Sequence, residues 1–265
     1  MSIARKHNIQ IVGKGSKTML LAHGYGCDQV MWRYLVPAFQ QDYRLILFDH
    51  VGAGKSDLSQ YNREKYKTLD GYADDVLDII DAVRGGPVIF VGHSVSAMIG
   101  VLASIKKPSA FERLILIGPS PCYINDGAYH GGFTRADIDG LLQTLGENHL
   151  GWSRAMAPVI MKNDDRPELA AELAESFCRT DPEIAKHFAR VTFLSDNRAD
   201  LTAVTTPSLV LQCSEDSIAP QMVGEFVHER LAGSRFIAMK ATGHCPHLSA
   251  PAETIQSIKE YLAQP

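Results

Sequence analysis

The sequence predicts an α/β protein with a mostly parallel central sheet, and three observations lead to this fold class. Short apolar runs alternate with segments of helical periodicity, as parallel strands and their crossover helices do. The runs are nearly continuously apolar, which is typical of strands covered on both faces. Between residues 123 and 199 the alternation stops, and only helical patterns follow. We therefore expect a sheet-based core at residues 1–122 and 200–265, with a helical cap at residues 123–199 inserted into it.

Six apolar runs are predicted as strands. They are residues 18–24, 44–50, 87–94, 113–121, 207–216 and 235–244. Segments between or after them carry apolar residues at helical spacing, which predicts the helices of the core. These are residues 72–83, 96–105 and 250–263.

Four further helices are predicted within the cap, at residues 134–146, 149–161, 166–179 and 182–194. Asp137 and Asp181 stand near predicted helix starts, and Pro167 and Pro182 suit positions in a first helical turn. A helical insertion of this kind would cover the carboxyl ends of the strands. That edge is where open α/β sheets bind their ligands.

Composition and charge narrow the functional class. Of 265 residues, 45% are apolar and 21% charged, and the formal net charge is −4 without a long basic run. Nucleic acid is therefore not an expected partner, because phosphate binding needs a clustered positive surface. No run of about 18 apolar residues indicates a membrane span. The N-terminal residues lack the apolar stretch of a signal peptide, so we expect a cytoplasmic protein.

The segment GHSVS places Ser94 where a hydrolase nucleophile would stand. It follows a predicted strand and precedes a predicted helix, as the nucleophile turn of the motif G-x-S-x-G does. Gly92 fits the first glycine, whereas Ser96 replaces the second. Small residues are needed at both positions because strand and helix come close together at such a turn.

A serine nucleophile requires a base and an acid that orients the base. Asp216 directly follows an apolar strand, and His244 follows the last strand, so the chain order is serine, aspartate, histidine. Glu215 is the neighbouring acid, but strand alternation points it elsewhere. His247 is the rival base, and His244 is preferred because it directly follows Gly243 at the strand end.

Two backbone N–H groups are needed to bind the oxyanion of the tetrahedral intermediate. Val95, which follows the nucleophile, would supply one, and Tyr25 in the loop AHGYG would supply the other. A second glycine-rich segment, GAGKS, resembles a phosphate-binding loop. It does not match G-x-x-x-x-G-K-S, because Asp49 stands where the first glycine is required.

The cysteines indicate neither a disulfide framework nor a zinc site, because they are odd in number, scattered and without a C-x-x-C pair. Cys245 adjoins His244, but we expect it to be a buried free thiol. We expect no metal and no cofactor. The five cysteines are Cys27, Cys122, Cys178, Cys213 and Cys245.

Taken together, the motifs resemble the α/β-hydrolase fold. More narrowly, they resemble the RsbQ-type bacterial stress-signalling hydrolases and the plant karrikin and strigolactone receptors. The similarity spans nearly the whole chain, and that family accepts serine at the position of Ser96. The segments that carry it are HGYG, FDHVGAGKSD, GHSVSAMIGVLASIKKP, LIGPSPCYIND, the segment around Asp216, and GHCPHLSAP.

This resemblance implies a triad of Ser94, Asp216 and His244 and a cap whose four helices form two V shapes over residues 134–193. It also implies a small apolar pocket between cap and sheet, which suits a neutral or weakly polar ligand. Besides Tyr25 and Val95, the expected pocket residues are Tyr123, Phe133, Leu141, Trp152, Met156, Phe193 and Ile218.

Two functions remain open from the sequence. The first is a cofactor-free serine hydrolase of small esters or lactones, such as butenolides. The second, which the resemblance implies, is a small-molecule sensor whose slow hydrolysis serves contact with a partner protein such as a signalling phosphatase. Haloperoxidases and carbon–carbon-bond hydrolases share the fold, whereas a dehalogenase is disfavoured because Ser94 replaces its aspartate. We expect a monomer.

Overall fold

Seven strands form one sheet in the computed structural model, which describes residues 2–264. Their order across the sheet is β1-β3-β2-β4-β5-β6-β7. β1 pairs antiparallel with β3, and all the other pairs are parallel. The strands are β1 (Gln10–Val12), β2 (Lys17–Ala22), β3 (Tyr43–Leu47), β4 (Val88–His93), β5 (Phe111–Ile117), β6 (Ser208–Glu215) and β7 (Arg235–Thr242).

Helices cover both faces of this sheet and fill the segment between β5 and β6. The core helices are α1 (Ile3–Lys6), α2 (Val36–Phe39), α3 (Leu69–Val83), α4 (Val95–Lys106), α9 (Gln221–Arg230), α10 (Pro246–Ser249) and α11 (Pro251–Leu262). The segment between β5 and β6 contains α5 (Arg135–Glu147), α6 (His149–Met161), α7 (Pro167–Arg179) and α8 (Pro182–Phe193). We call residues 135–193 the helical insert.

The predicted α/β class with a mostly parallel sheet is confirmed, since β2 to β7 coincide with the six predicted strands. The prediction missed β1, the four-residue helices α1, α2 and α10, and the longer helix α9. β1 is three residues long and largely exposed, so it lacks the apolar run of a central strand. α9 buries only Val223, Gly224 and Val227. The predicted core also includes Met1 and Pro265, which lie outside the described residues.

Alternation along the parallel strands divides the core into two apolar layers. Leu20, Phe90 and Leu116 face the layer that contains α3 and α4. The neighbouring strand residues face the opposite layer, which contains α11. Burying a large apolar side chain contributes about 1.5–3 kcal/mol. Both faces of the sheet are therefore covered by packed side chains, and the loops described below follow the carboxyl ends of its strands.

The insert helices begin where the sequence supplies capping groups. Thr134 accepts from the Asp137 N–H and the Asp137 carboxylate accepts from the Thr134 N–H, which forms a capping box before α5. Asp181 accepts from two backbone N–H groups at the start of α8. Pro167 and Pro182 lie in the first turns of their helices. The apolar faces of these helices pack on loops at the carboxyl ends of the strands.

Within residues 2–264, no helix has both the length and the apolar character needed to span a bilayer.

Candidate active site

Ser94 occupies the tight turn between β4 and α4. Its backbone has φ 57° and ψ −126°, a strained conformation for a residue with a Cβ atom. The turn brings the strand against the first turn of the helix: a Cβ on Gly92 would lie 2.6 Å from the Ser96 carbonyl oxygen. Only glycine therefore fits at position 92. The Ser94 side chain projects from this turn into the space below the helical insert, where it lines a small cavity.

A chain of hydrogen bonds links Ser94, His244 and Asp216. His244 Nδ1 lies 2.6 Å from Asp216 Oδ2, and His244 Nε2 lies 2.8 Å from Ser94 Oγ. An ionised carboxylate can only accept, so Nδ1 carries the hydrogen and Nε2 accepts from the serine hydroxyl. All three side chains are buried.

Asp216 is fixed by both of its oxygens. While Oδ2 faces His244, Oδ1 accepts from the Ile218 N–H at 2.8 Å and the Ala219 N–H at 3.0 Å. Glu215, the alternative acid, is the last residue of β6 and is exposed to solvent. Its carboxylate lies 3.5 Å from Lys162 Nζ instead.

The backbone of His244 is held from two sides. Its N–H donates to the Ile160 carbonyl at the end of α6, at 2.9 Å. Its carbonyl accepts from His93 Nε2 at 2.7 Å. The histidine is thus tied both to the helical insert and to the residue that precedes Ser94.

His247, the rival base, packs between aromatic rings. Its ring centroid lies 4.8 Å from that of Trp32 and 4.5 Å from that of His93. Burial, reinforced by nearby His244 and Arg33, lowers the pKa of His247 to about 3. His247 is therefore neutral near pH 7, and it makes no hydrogen bond to Ser94 in the described chain.

The two proposed oxyanion donors come from two segments, the start of α4 and the loop after β2. Val95 is the first residue of α4, so its N–H has no acceptor within the helix. Tyr25 lies in the loop after β2, and its side chain reaches into the insert, where the hydroxyl donates to the Ala185 carbonyl at 3.1 Å. Gly24 lets this loop approach the serine, because a Cβ there would lie 2.7 Å from His93 Nδ1.

A small cavity of about 30 Å³ adjoins Ser94 and His244. Of the expected pocket residues, Tyr25, Tyr123, Trp152, Phe193 and Ile218 line it. The other side chains of the wall were not predicted from the sequence. Most of them are apolar, and they come from segments far apart in the chain. These are Cys27, His93, Ile160, Leu173, Phe177, Thr192 and Cys245.

Four expected pocket residues do not line this cavity. Phe133, Leu141 and Met156 are half-buried and pack on the outside of the apolar cluster that forms its wall. Helical periodicity places such residues on an apolar face, but it does not distinguish the cavity wall from the layer behind it. Val95 borders the turn through its backbone, and its side chain packs in the layer with α3 and α4.

Cys245 lines the cavity as a buried free thiol. Burial raises its pKa well above the ordinary value, so the sulfur remains protonated and is a poor nucleophile. Across residues 2–264, no three His, Cys, Asp or Glu side chains are grouped to hold a metal ion.

Comparison with known proteins shows which family the chain belongs to. The model of a family described as the alpha/beta hydrolase family matches residues 19–257. The chain belongs to the alpha/beta hydrolase family. The expected α/β-hydrolase fold is thereby confirmed.

Individual relatives cover nearly the whole of this alpha/beta hydrolase. It is 37% identical to karrikin insensitive 2 receptor CA of Petunia hybrida, over 98% of this chain and 97% of the relative. It is 38% identical to a strigolactone esterase of Arabidopsis thaliana, over 96% of both chains. The solved structure of a hydrolase from Oleispira antarctica superposes with a TM-score of 0.96 at 39% identity, covering 99% and 97% of the two chains. The resemblance to karrikin and strigolactone receptors is confirmed, whereas that to RsbQ-type hydrolases stays a prediction.

Ser96 is small enough for the narrow turn of this hydrolase, and its hydroxyl also makes hydrogen bonds to two histidines. Its hydroxyl donates to the His23 carbonyl and lies 2.8 Å from His50 Nε2. Since the single hydroxyl hydrogen goes to the carbonyl, Ser96 accepts from His50 Nε2–H. The His50 backbone N–H donates in turn to His23 Nε2 at 3.1 Å. We call His23, His50 and Ser96 the histidine–serine network; it joins the loop that carries Tyr25 to the helix that begins at Val95.

The segment GAGKS folds around a carboxylate. Asp49 accepts from the Lys55 N–H at 2.9 Å and from the Gln29 N–H at 2.9 Å, and also from the Asn8 side chain. The backbone N–H of Lys55, which a phosphate-binding loop would offer to its ligand, is thus bonded to Asp49. The loop holds His50 in place for the histidine–serine network.

Removing the Ser96 hydroxyl should impair turnover more than substrate binding. Ser96→Ala leaves His50 Nε2–H and the His23 carbonyl unpaired. The loop that carries Tyr25 is then no longer held in a fixed position relative to Val95. We expect kcat for p-nitrophenyl acetate to fall about 10- to 100-fold, with a smaller change in KM. Ser104→Ala, on the same helix, is the matched control and should leave kcat unchanged. An Ser96→Ala enzyme with normal kcat would contradict this role.

Acid should destabilise the fold through His247. In the unfolded chain this side chain binds a proton near pH 6.5, whereas in the folded protein it does so only near pH 3. The unfolded state therefore binds more protons between these values, and the free energy of unfolding falls as the pH falls, by up to about 1.4 kcal/mol per pH unit. Urea unfolding from about pH 7 to about pH 4.5 measures the slope. His247→Phe should reduce it, and equal slopes for the two proteins would contradict the prediction.

Proposed function

We propose that this protein is a cofactor-free serine hydrolase of small esters or lactones. The observation that carries this proposal is the buried chain of hydrogen bonds from Asp216 through His244 to Ser94, which ends at a small cavity. In this arrangement a serine hydroxyl loses its proton to a neutral imidazole as it attacks a carbonyl carbon.

The reaction proceeds in two halves. Ser94 Oγ attacks the carbonyl while His244 Nε2 takes its proton. His244 then gives that proton to the departing alcohol oxygen, and the acyl group stays on Ser94 as an ester. In the second half, water attacks this ester and gives a proton to His244. The proton returns to Ser94 Oγ as the acid leaves.

Asp216 and the backbone donors stabilise the charges that develop. The Asp216 carboxylate holds the His244 tautomer with Nε2 free to accept, and it faces the imidazolium that forms. The N–H groups of Val95 and Tyr25 bind the oxyanion, each from a position fixed by secondary structure or by the histidine–serine network. Preorganised donors of this kind stabilise the transition state because they need no reorganisation when charge appears.

The substrate class follows from the walls of the cavity and from the relatives. Apolar and aromatic side chains surround the serine, which favours a small, mostly apolar acyl compound. A relative at 38% identity is named a strigolactone esterase. An ester or lactone, with a butenolide as one example, is therefore the substrate class we propose.

Residues 123–199 act as a cap in this proposal. The cavity of about 30 Å³ is far smaller than the roughly 300–1,000 Å³ of a typical small-molecule site. An acyl compound is larger, so the insert helices that supply Trp152, Leu173 and Phe193 must shift for it to enter. Because His244 N–H donates to Ile160 on α6, a shift of this helix reaches the base directly.

Ser94→Ala should abolish the turnover of p-nitrophenyl acetate, because no other residue at the turn offers an activated hydroxyl. His244→Ala should lower kcat by about 10³-fold or more, whereas His247→Phe should retain most of the activity. Release of p-nitrophenol, followed by absorbance on folded variants, measures all three. Unchanged turnover by Ser94→Ala would overturn the proposed function.

A sensor is the second candidate, and the receptor name of a relative at 37% identity favours it. In this case hydrolysis is slow, and the surface of the cap binds a partner protein such as a signalling phosphatase. The protein would act as a monomer in the cytoplasm.

Pre-steady-state kinetics distinguish the two candidates. A sensor should release one equivalent of alcohol in a burst and then turn over slowly, because the acyl group stays on Ser94. A metabolic esterase should continue at a typical kcat of about 1–10³ s⁻¹ on its substrate. A neighbouring gene for a phosphatase with a sensory domain would add support for the sensor.

A further inference from the structure

Two residues of the helical insert that line the cavity each carry a polar group without a hydrogen-bond partner. Thr192 on α8 is 1% exposed and Trp152 on α6 is 4% exposed, and both belong to the cavity wall. Within residues 2–264, neither Thr192 Oγ1 nor Trp152 Nε1 makes a hydrogen bond. Most buried polar side chains in proteins are paired, so two unpaired groups on one wall require an explanation.

Thr192 differs from other helical threonines of this protein in the hydrogen bonding of its hydroxyl. A threonine within a helix commonly satisfies its hydroxyl on the carbonyl four residues earlier. Thr144 and Thr254 do this here, donating to the carbonyls of Gly140 and Ala250 at 2.9 Å and 3.0 Å. Thr192 does not, although Phe188 precedes it by four residues on the same helix. Its hydroxyl thus remains available to a molecule in the cavity.

No other described residue of the wall pairs with either group. Most of it consists of apolar residues and thiols. A third unpaired atom, His93 Nδ1, lies beside Gly24 and so belongs to the turn that carries Ser94, not to the insert. Trp152 Nε1 can only donate, and the Thr192 hydroxyl can donate, so both suit an oxygen acceptor.

We propose that Thr192 and Trp152 form a subsite for a substrate oxygen that does not belong to the ester or lactone group whose carbonyl carbon Ser94 attacks. The inference rests on the proposed function and narrows its substrate class. The preferred substrate is an ester or lactone that carries a further carbonyl, ether or hydroxyl oxygen. A purely hydrocarbon acyl or alcohol group leaves the two donors unpaired and binds less well.

Matched pairs of esters test this subsite. p-Nitrophenyl methoxyacetate and p-nitrophenyl butyrate differ only by an ether oxygen in place of a methylene group on the acyl side. 2-Methoxyethyl acetate and butyl acetate differ in the same way on the alcohol side. The quantity measured is the ratio of kcat/KM for the ester with the ether oxygen to kcat/KM for its hydrocarbon counterpart. Comparing this ratio between enzyme variants cancels the different intrinsic reactivities of the two esters.

Thr192→Val removes the hydroxyl and keeps the shape of the side chain. We expect this variant to lose preference for the ether ester, so that the ratio falls about three- to tenfold in at least one pair. A change of this size corresponds to the loss of one hydrogen bond. Thr192→Ser, which keeps a hydroxyl, should retain the preference. Thr254→Val is the matched control, because its hydroxyl lies in α11 and bonds to Ala250, and it should leave the ratio unchanged. Ratios that are equal in the parent enzyme and in Thr192→Val for both pairs would overturn the subsite.

Binding measurements separate this inference from the proposed function. Calorimetry on Ser94→Ala and on Ser94→Ala with Thr192→Val gives the affinity for each ester without turnover. If Thr192→Val loses the preference for the oxygen-containing esters in binding, the subsite is supported. If the parent enzyme hydrolyses none of the esters, only the proposed function is overturned. Hydrolysis without any oxygen preference, in turnover or in binding, would overturn the subsite alone.

Discussion

The strained turn at Ser94 is the constraint on which the rest of the site depends. A positive φ at a residue with a Cβ persists only where the surroundings enforce it. Here β4 is paired on both sides, with β2 and β5, and α4 is buried against α3, so the turn at Ser94 that joins strand to helix has no room to relax. Gly92 provides the close approach. The same turn presents Ser94 Oγ to His244 and leaves the Val95 N–H at the open end of the helix.

The surrounding loops are tied to this turn through few but specific polar contacts. The histidine–serine network fixes the loop of Tyr25, and His93 holds the carbonyl of His244. The helical insert joins this frame through Ile160, and through Ser176, whose hydroxyl donates to the Gly26 carbonyl at 2.8 Å. Under the proposed function, a substrate that moves the insert acts on His244 and on the loop of Tyr25 together. Such coupling suits either a hydrolase that closes over its substrate or a sensor whose cap reports occupancy.

The sequence predicted the sheet, the insert helices and the order of the site residues, because each depends on local pattern. Apolar runs mark strands buried on both faces, and Asp216 and His244 stand at strand ends where loops converge. β1 escaped prediction because an exposed three-residue edge strand has no such pattern. The hydrogen bonds of Ser96 escaped it too, since His50 lies 46 residues away and only the fold brings it near. For the same reason, the pocket prediction mixed Trp152 and Phe193, which line the cavity, with Leu141 and Met156, which lie behind it.

The central claim is that Ser94 is the nucleophile of this alpha/beta hydrolase. Mass spectrometry after brief reaction with a fluorophosphonate tests it most directly, because this reagent traps an activated serine irreversibly. We predict one adduct per chain, located on the peptide that contains Ser94 and lost on mutation of Asp216 or His244. An adduct on Cys245 or on another serine, or no adduct on the folded protein, would contradict the claim.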